Sequence, residues 1–125
     1  MNDKDREEYR LAALASGLEI EIKEVTLASP LSSTGTYKTE FAYVRYGGLV
    51  REWNPKTNKA DSFDLWCAIS KRNNENPKSF DELSENEQNA WIEITNAFTA
   101  GDASRCCKAI FNCAVAIGRS MEQSQ

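Results

Sequence analysis

The chain has no histidine among its 125 residues. Histidine is the side chain most often used to move protons near neutral pH, so Ser-His, Cys-His and His-ligated metal mechanisms are excluded. No apolar run approaches the roughly 20 residues that cross a bilayer. The opening MNDKDREEYR alternates charge with no apolar stretch behind it, which is unlike a secretory leader. These two absences predict a cytoplasmic protein with no membrane contact. The four cysteines lack the closely spaced pairs of a zinc site: Cys106 and Cys107 are adjacent, Cys113 follows, and Cys67 stands far upstream. They are expected to be small, buried, metal-free thiols in a reducing compartment. Nothing calls for a cofactor, and no carboxylate pair or lysine is singled out for catalysis, so the chain is not expected to be an enzyme.

What is present suits a folded domain. Hydrophobic residues make up 41% of the chain, with three Trp, four Tyr and five Phe to fill a core. No repeat or low-complexity run divides the sequence, and one domain over 1–125 is predicted. The net charge of −4 is unevenly spread: residues 1–25 carry −3, residues 26–72 carry +3, and residues 73–125 carry −4. A mildly basic middle between acidic flanks falls short of the Lys/Arg clustering of a nucleic-acid binder.

Helical spacing of Tyr9, Leu11, Ala12, Leu14 and Ala15 predicts a helix over Asp3–Ser16, stopped by Gly17. Leu18–Lys23 alternates as a half-buried strand, and Thr26–Gly35 reads as a flexible loop. Thr36–Tyr46 reads as a long strand, apolar on both faces. Gly47-Gly48 then forms a tight turn, from which Leu49–Trp53 returns antiparallel. After a loop opened by Pro55, Asp61 or Ser62 caps a helix to about Arg72, broken by NNENPKS. Capping boxes start at Ser79 and Ser84. A helix over 85–98 places Trp91, Ile94 and Phe98 on one face, with Trp91 and Phe98 read as core. A last helix from Asp102 to about Arg119 carries Cys107, Ile110, Phe111, Ala114 and Ile117 together, and residues 120–125 are expected to fray. The fold class is therefore α+β: an α-β-β-β-α part over 1–72 with a three-stranded antiparallel sheet, followed by a helical hairpin over 79–119.

The segment Trp53-Asn54-Pro55-Lys56-Thr57, with Asp61, Ser62, Phe63 and Leu65 after it, resembles a pattern in small accessory proteins of tailed phages and prophages. Those proteins also begin with a helix similar to Tyr9–Gly17, so the resemblance spans about residues 8–70. The chain departs at Asn58-Lys59-Ala60, where two acidic residues and a glycine are usual, and at Trp66, where a small residue is usual. The resemblance implies a phage or prophage origin and specifies no activity.

The same segment has a structural reading, in which Trp53 anchors the loop in the core, Asn54 and Pro55 turn it, and Asp61 starts the next helix. Its functional reading is a contact surface made by Trp53, Asn54, Lys56, Asn58 and Lys59 beside the aromatic strand end at Tyr46, because loops on rigid frames commonly carry binding. The hairpin's Asp81, Glu82, Glu85, Glu87 and Glu93 read instead as a solvated acidic stripe. Three functions are carried forward. The first is an accessory protein that binds, and so inhibits or modulates, a host protein. The second is an RNA- or DNA-binding module, since α-β-β-β-α is similar to the double-stranded RNA-binding domain; Asp61 and Asp64 in the helix's first turn weigh against phosphate. The third is a small-ligand protein with a pocket between sheet and helices. Oligomeric state stays open, a homodimer included.

Overall fold

The computed structural model describes residues 1–124. Asn2 caps the first helix, α1 (Asp3–Ser16), its side-chain oxygen accepting the Asp5 N–H at 2.8 Å. The chain then enters β1 (Glu19–Ala28), which pairs antiparallel with β2 (Thr36–Tyr46) in unbroken register from Glu19↔Arg45 to Ala28↔Thr36. The strand outruns its alternating segment because β2 offers ladder partners along its full length, and Val25 and Thr26 suit an extended backbone. The expected loop shrinks to Ser29–Gly35, closed by the Ser29 N–H donating to the Gly35 carbonyl at 2.8 Å. Across the glycine turn, β3 (Leu49–Glu52) pairs with β2 from Tyr46↔Leu49 to Tyr43↔Glu52. Of the two turn glycines only Gly47 takes a left-handed φ, +61°.

α2 (Lys59–Glu75) starts earlier and ends later than its sequence pattern implies. Asn58, not Asp61 or Ser62, is its cap, accepting the Asp61 N–H at 3.0 Å. The Ser79 capping box with Glu82 forms as expected but closes only a single 3₁₀ turn, Phe80–Glu82. α3 (Glu85–Ala100) is capped by Ser84, and α4 (Ala103–Gln123) by Asp102. Residues 120–123 do not fray. They continue α4, tied back to α1 by an Arg10–Glu122 ion pair, while Gln125 lies outside the described residues.

α4 is the hub. Cys107, Ile110, Phe111, Cys113, Ala114 and Val115 are buried along it, and α1, α2 and α3 all pack against it. The C-terminal helices are thus a true pair, but they complete the core of the α-β-β-β-α part rather than standing beside it. The sheet joins that core through the face carrying Ile20, Ile22, Ala42 and Val44, and Arg6 of α1 holds Glu40 of β2 from above, with Nε 3.1 Å from both carboxylate oxygens. The opposite face, with Glu21, Lys23, Tyr43 and Val50, is turned to solvent.

α1 and α4 approach closely at Gly118. A Cβ there would sit 2.1 Å from the Leu11 carbonyl oxygen and 2.7 Å from its carbonyl carbon, both backbone atoms of α1. Neither can swing aside as a side chain can. Gly118→Ala should therefore cost about 3 kcal/mol, the upper end for overpacking. Urea unfolding would read this as a lower midpoint at unchanged slope. Gly48→Ala, which meets nothing within 4 Å, should be nearly neutral.

Candidate functional site

The 53–61 loop is built into the core rather than laid over it. Trp53 is 1% exposed, edge-on to Tyr9 with ring centroids 5.9 Å apart, and its backbone N–H donates to the Ala42 carbonyl at 2.8 Å. Pro55 is fully buried beside it. Asp61 is buried too: one carboxylate oxygen accepts the Asn54 N–H at 2.9 Å and the other accepts from Arg51 Nη1 at 2.6 Å. That hydrogen bond and charge hold the Arg51 guanidinium pKa above its usual value. A carboxylate with no water must be met by donors, and the loop backbone supplies one.

The six residues of the expected contact surface are placed differently from one another. Trp53 cannot serve as a surface anchor. Asn54 is half-buried, with the Tyr9 hydroxyl 3.3 Å from its side-chain oxygen, and Asn58 is committed to capping α2. Lys56 lies over two rings, 4.8 Å from the Phe111 centroid and 5.3 Å from that of Tyr9, with the Asp5 carboxylate 3.9 Å away. Lys59 is exposed, and Tyr46 lies at the surface under the Arg51 guanidinium, 5.4 Å from its ring. Of the six, Asn58, Lys59 and Tyr46 are exposed; Asn58 and Lys59 are neighbours at the start of α2, and Tyr46 lies apart at the end of β2.

The exposed aromatic surface lies instead where α2, α3 and α4 meet. Phe63 is 65% exposed and Phe98 55%, with Trp66 half-buried between them; Trp66 is 6.0 Å from Phe98 and 5.6 Å from Trp91. With Cys106, Cys107 and Ile110 of α4 they line an open groove of about 440 Å³. Lys59 stands at its edge, and Lys56 and Lys108 line the next hollow with Phe111. Ser62, on the groove's α2 wall, is buried with its hydroxyl making no hydrogen bond among the described residues.

Sequence spacing put Trp91 and Phe98 in the core; Trp91 is half-buried and packs against it, whereas Phe98 is 55% exposed, because spacing did not weigh size. The α3 seam against α4 is filled by Ala90, Ile94 and Ala97, and small residues bring the helices close enough to squeeze the large rings aside. The signal for the groove was legible on α2. Ser62, Leu65 and Ile69 form one buried stripe, and Phe63 and Trp66 form a second, about 100° away. A helix with two apolar stripes and one core leaves one of them open.

The pocket expected between sheet and helices thus lies among the helices. The acidic stripe also changes: Glu87 is buried, and Glu93 is paired with Arg105 Nε at 2.6 Å. Of the cysteines, Cys107 and Cys113 are buried as expected, but Cys67 is exposed and Cys106 half-exposed in the groove wall.

Lys56→Glu should cost about 1–2 kcal/mol by losing its cation–π contacts and facing Asp5, while Lys59→Glu should stay within about 0.5 kcal/mol, as judged by thermal melts. Burial, then the nearby Glu87, pushes the Cys113 thiol up to about 12 from an ordinary 9.0. The unfolded thiol ionises first, so this burial stabilises the fold below pH 9 and is lost as pH rises past it. A thiol reagent at pH 8 should label Cys67 and Cys106 in the folded chain, and reach Cys107 and Cys113 only on unfolding.

No helix among the described residues is long and apolar enough to cross a membrane. Comparison with protein-family models finds no match to the chain, and comparisons with curated proteins and with solved structures find none either.

Proposed function

We propose that the protein is an accessory protein of the phage or prophage kind that acts by binding, and so inhibiting or modulating, a host protein. The observation that carries this reading is the open aromatic groove between α2, α3 and α4. Large exposed rings around a groove are where interface energy concentrates, and solvated chains seldom leave two Phe at 65% and 55% exposure lining one groove without use. The groove's shape suits an apolar helical segment laid against its rings. The lysines at one end suit a segment with acidic flanks, against the trend of a chain whose net charge is −4.

A second reading rests on Ser62. A buried hydroxyl without a partner beside an apolar hollow is the arrangement that orients a small ring-bearing ligand. A thermal-shift screen separates the two, because a ligand at 100 times its Kd adds about 2.7 kcal/mol. The nucleic-acid reading has less in its favour. Arg51 is engaged by Asp61 and Lys56 by Asp5 and two rings, which leaves Lys59, at the start of α2, without an ion-pair partner among the described residues.

The test pairs capture from the host bacterium with groove variants. Phe63→Ala with Phe98→Ala should melt like the parent, since both rings are largely exposed, yet weaken the captured protein's affinity about 30-fold, the scale of a two-residue hot spot. Tyr37→Ala, on the solvent face of the sheet, should bind as the parent does. Equal capture by the groove variant would refute the assignment, and loss of capture by Tyr37→Ala alone would move the site to the sheet.

A further inference from the structure

β1 is a sheet edge, with no strand paired to its outer side among the described residues. The order β1-β2-β3 leaves one row of its backbone donors and acceptors unpaired, and α1, its nearest helix, lies on the sheet's inner face. Edges of this length are usually blunted by proline, by a bulge or by a covering element. β1 spans ten residues without proline, and its pairing with β2 carries no bulge. Ile20 and Ile22, which face the core, are left only half-buried at this margin. Among the described residues its protective device is charge, on Glu19, Glu21, Lys23 and Glu24.

That charge also discriminates between partners. Consider a second copy pairing antiparallel with this edge about a two-fold axis. Centring the axis on Glu21, Lys23 or Glu24 sets a like charge directly opposite itself, and centring it on Ile20 sets Glu19 against Glu21. Each of these opposes like charges across the ladder, which is destabilising. Centring on Ile22 does the reverse. Glu21 then faces Lys23 of the second copy, and Lys23 faces its Glu21, on the solvent side of the sheet. On the inner side Ile22 meets Ile22, while Ile20 faces the exposed Glu24 of the second copy, whose methylene stem lies along it. Of these five registers only the one centred on Ile22 opposes no like charges; the Glu21-centred register sets two Glu19–Lys23 pairs against its one like pair and is the nearest competitor.

We propose that β1 is a homodimer interface, in which two chains join antiparallel about Ile22 into one six-stranded sheet. The Glu21–Lys23 pairs fix the register, and backbone hydrogen bonds supply the attachment. The partner is a second copy of this chain, and the contact involves no residue of the aromatic groove.

Sedimentation of the full chain from roughly 1 μM to 1 mM tests this, across the range of weak to moderate dimers. The mass should rise with concentration from 14.0 kDa towards twice that value. Lys23→Glu and Glu21→Lys should each raise the dimer dissociation constant about tenfold, by turning both attractive pairs into repulsive ones. The swap Glu21→Lys with Lys23→Glu restores opposite charges and should recover the parent's dissociation constant. These side chains are about half-exposed, so circular dichroism should show all three variants folded. Backbone amides of residues 19–25 should exchange more slowly in concentrated than in dilute solution. A chain monomeric at 1 mM would overturn the proposal. A dimer indifferent to the single changes, or one that the swap fails to restore, would overturn the register and with it the assignment of this edge.

Discussion

Everything in the helical layer depends on how closely α1 can approach α4. The limit is set by one missing carbon at Gly118, over the Leu11 carbonyl. Glycine inside a helix weakens it by roughly 1 kcal/mol relative to alanine, so its presence in the middle of α4 needs a return. The return is contact. With the backbones this near, Ala12, Ala15 and Ala114 are sealed from water, Tyr9 reaches Phe111 at 5.3 Å between centroids, and Arg10 reaches Glu122. Because α1 leads directly into β1, the same crossing decides where the sheet sits. Ile20, Ile22, Ala42 and Val44 can meet the helices only from that position.

A second constraint is the burial of Asp61. Its carboxylate joins three parts of the chain: Arg51 at the end of β3, the Asn54 backbone of the connecting loop, and α2 itself. With these donors in place, Trp53 and Pro55 pack inward and Lys56 is drawn over Tyr9 and Phe111. A stretch of Asn, Pro, Lys and Thr that resembles a recognition loop is therefore the clasp between sheet and helices. Its polar residues are spent on caps and on one buried charge, which is why few of them remain for a partner.

Much of the fold was legible in the sequence. The strict alternation from Leu18 to Lys23, the glycine pair after Tyr46 and the Ser79 and Ser84 capping signals each have a local cause, and each appears where that cause places it. Local signals mark where an element begins more firmly than where it ends. β1 ran on to Ala28 because its neighbour was there to pair with, and α4 ran on to Gln123 because Glu122 had Arg10 to meet. Sidedness was the harder question. Spacing placed Trp91 and Phe98 on the face of Ile94, but alanines at 90 and 97 made the true seam, and ring size settled what periodicity had left level. Cys67 was misjudged in the same way, since it flanks the buried stripe of α2 without belonging to it.

The groove and the β1 edge answer different needs, and their separation has a consequence. No residue of the groove belongs to β1 or α1, so joining two chains along β1 leaves both grooves open. A dimer then offers two identical aromatic sites at a fixed separation. A partner with two docking segments, or one that is itself two-fold, would bind the second site at an effective concentration set by that spacing, without any new contact. Two rings per groove make a small anchor, since a handful of residues carries most of an interface's energy. Doubling through the proposed sheet-edge contact would let a chain of 125 residues hold a partner more firmly than one groove allows. It would do so without enlarging the apolar patch that each copy exposes to water.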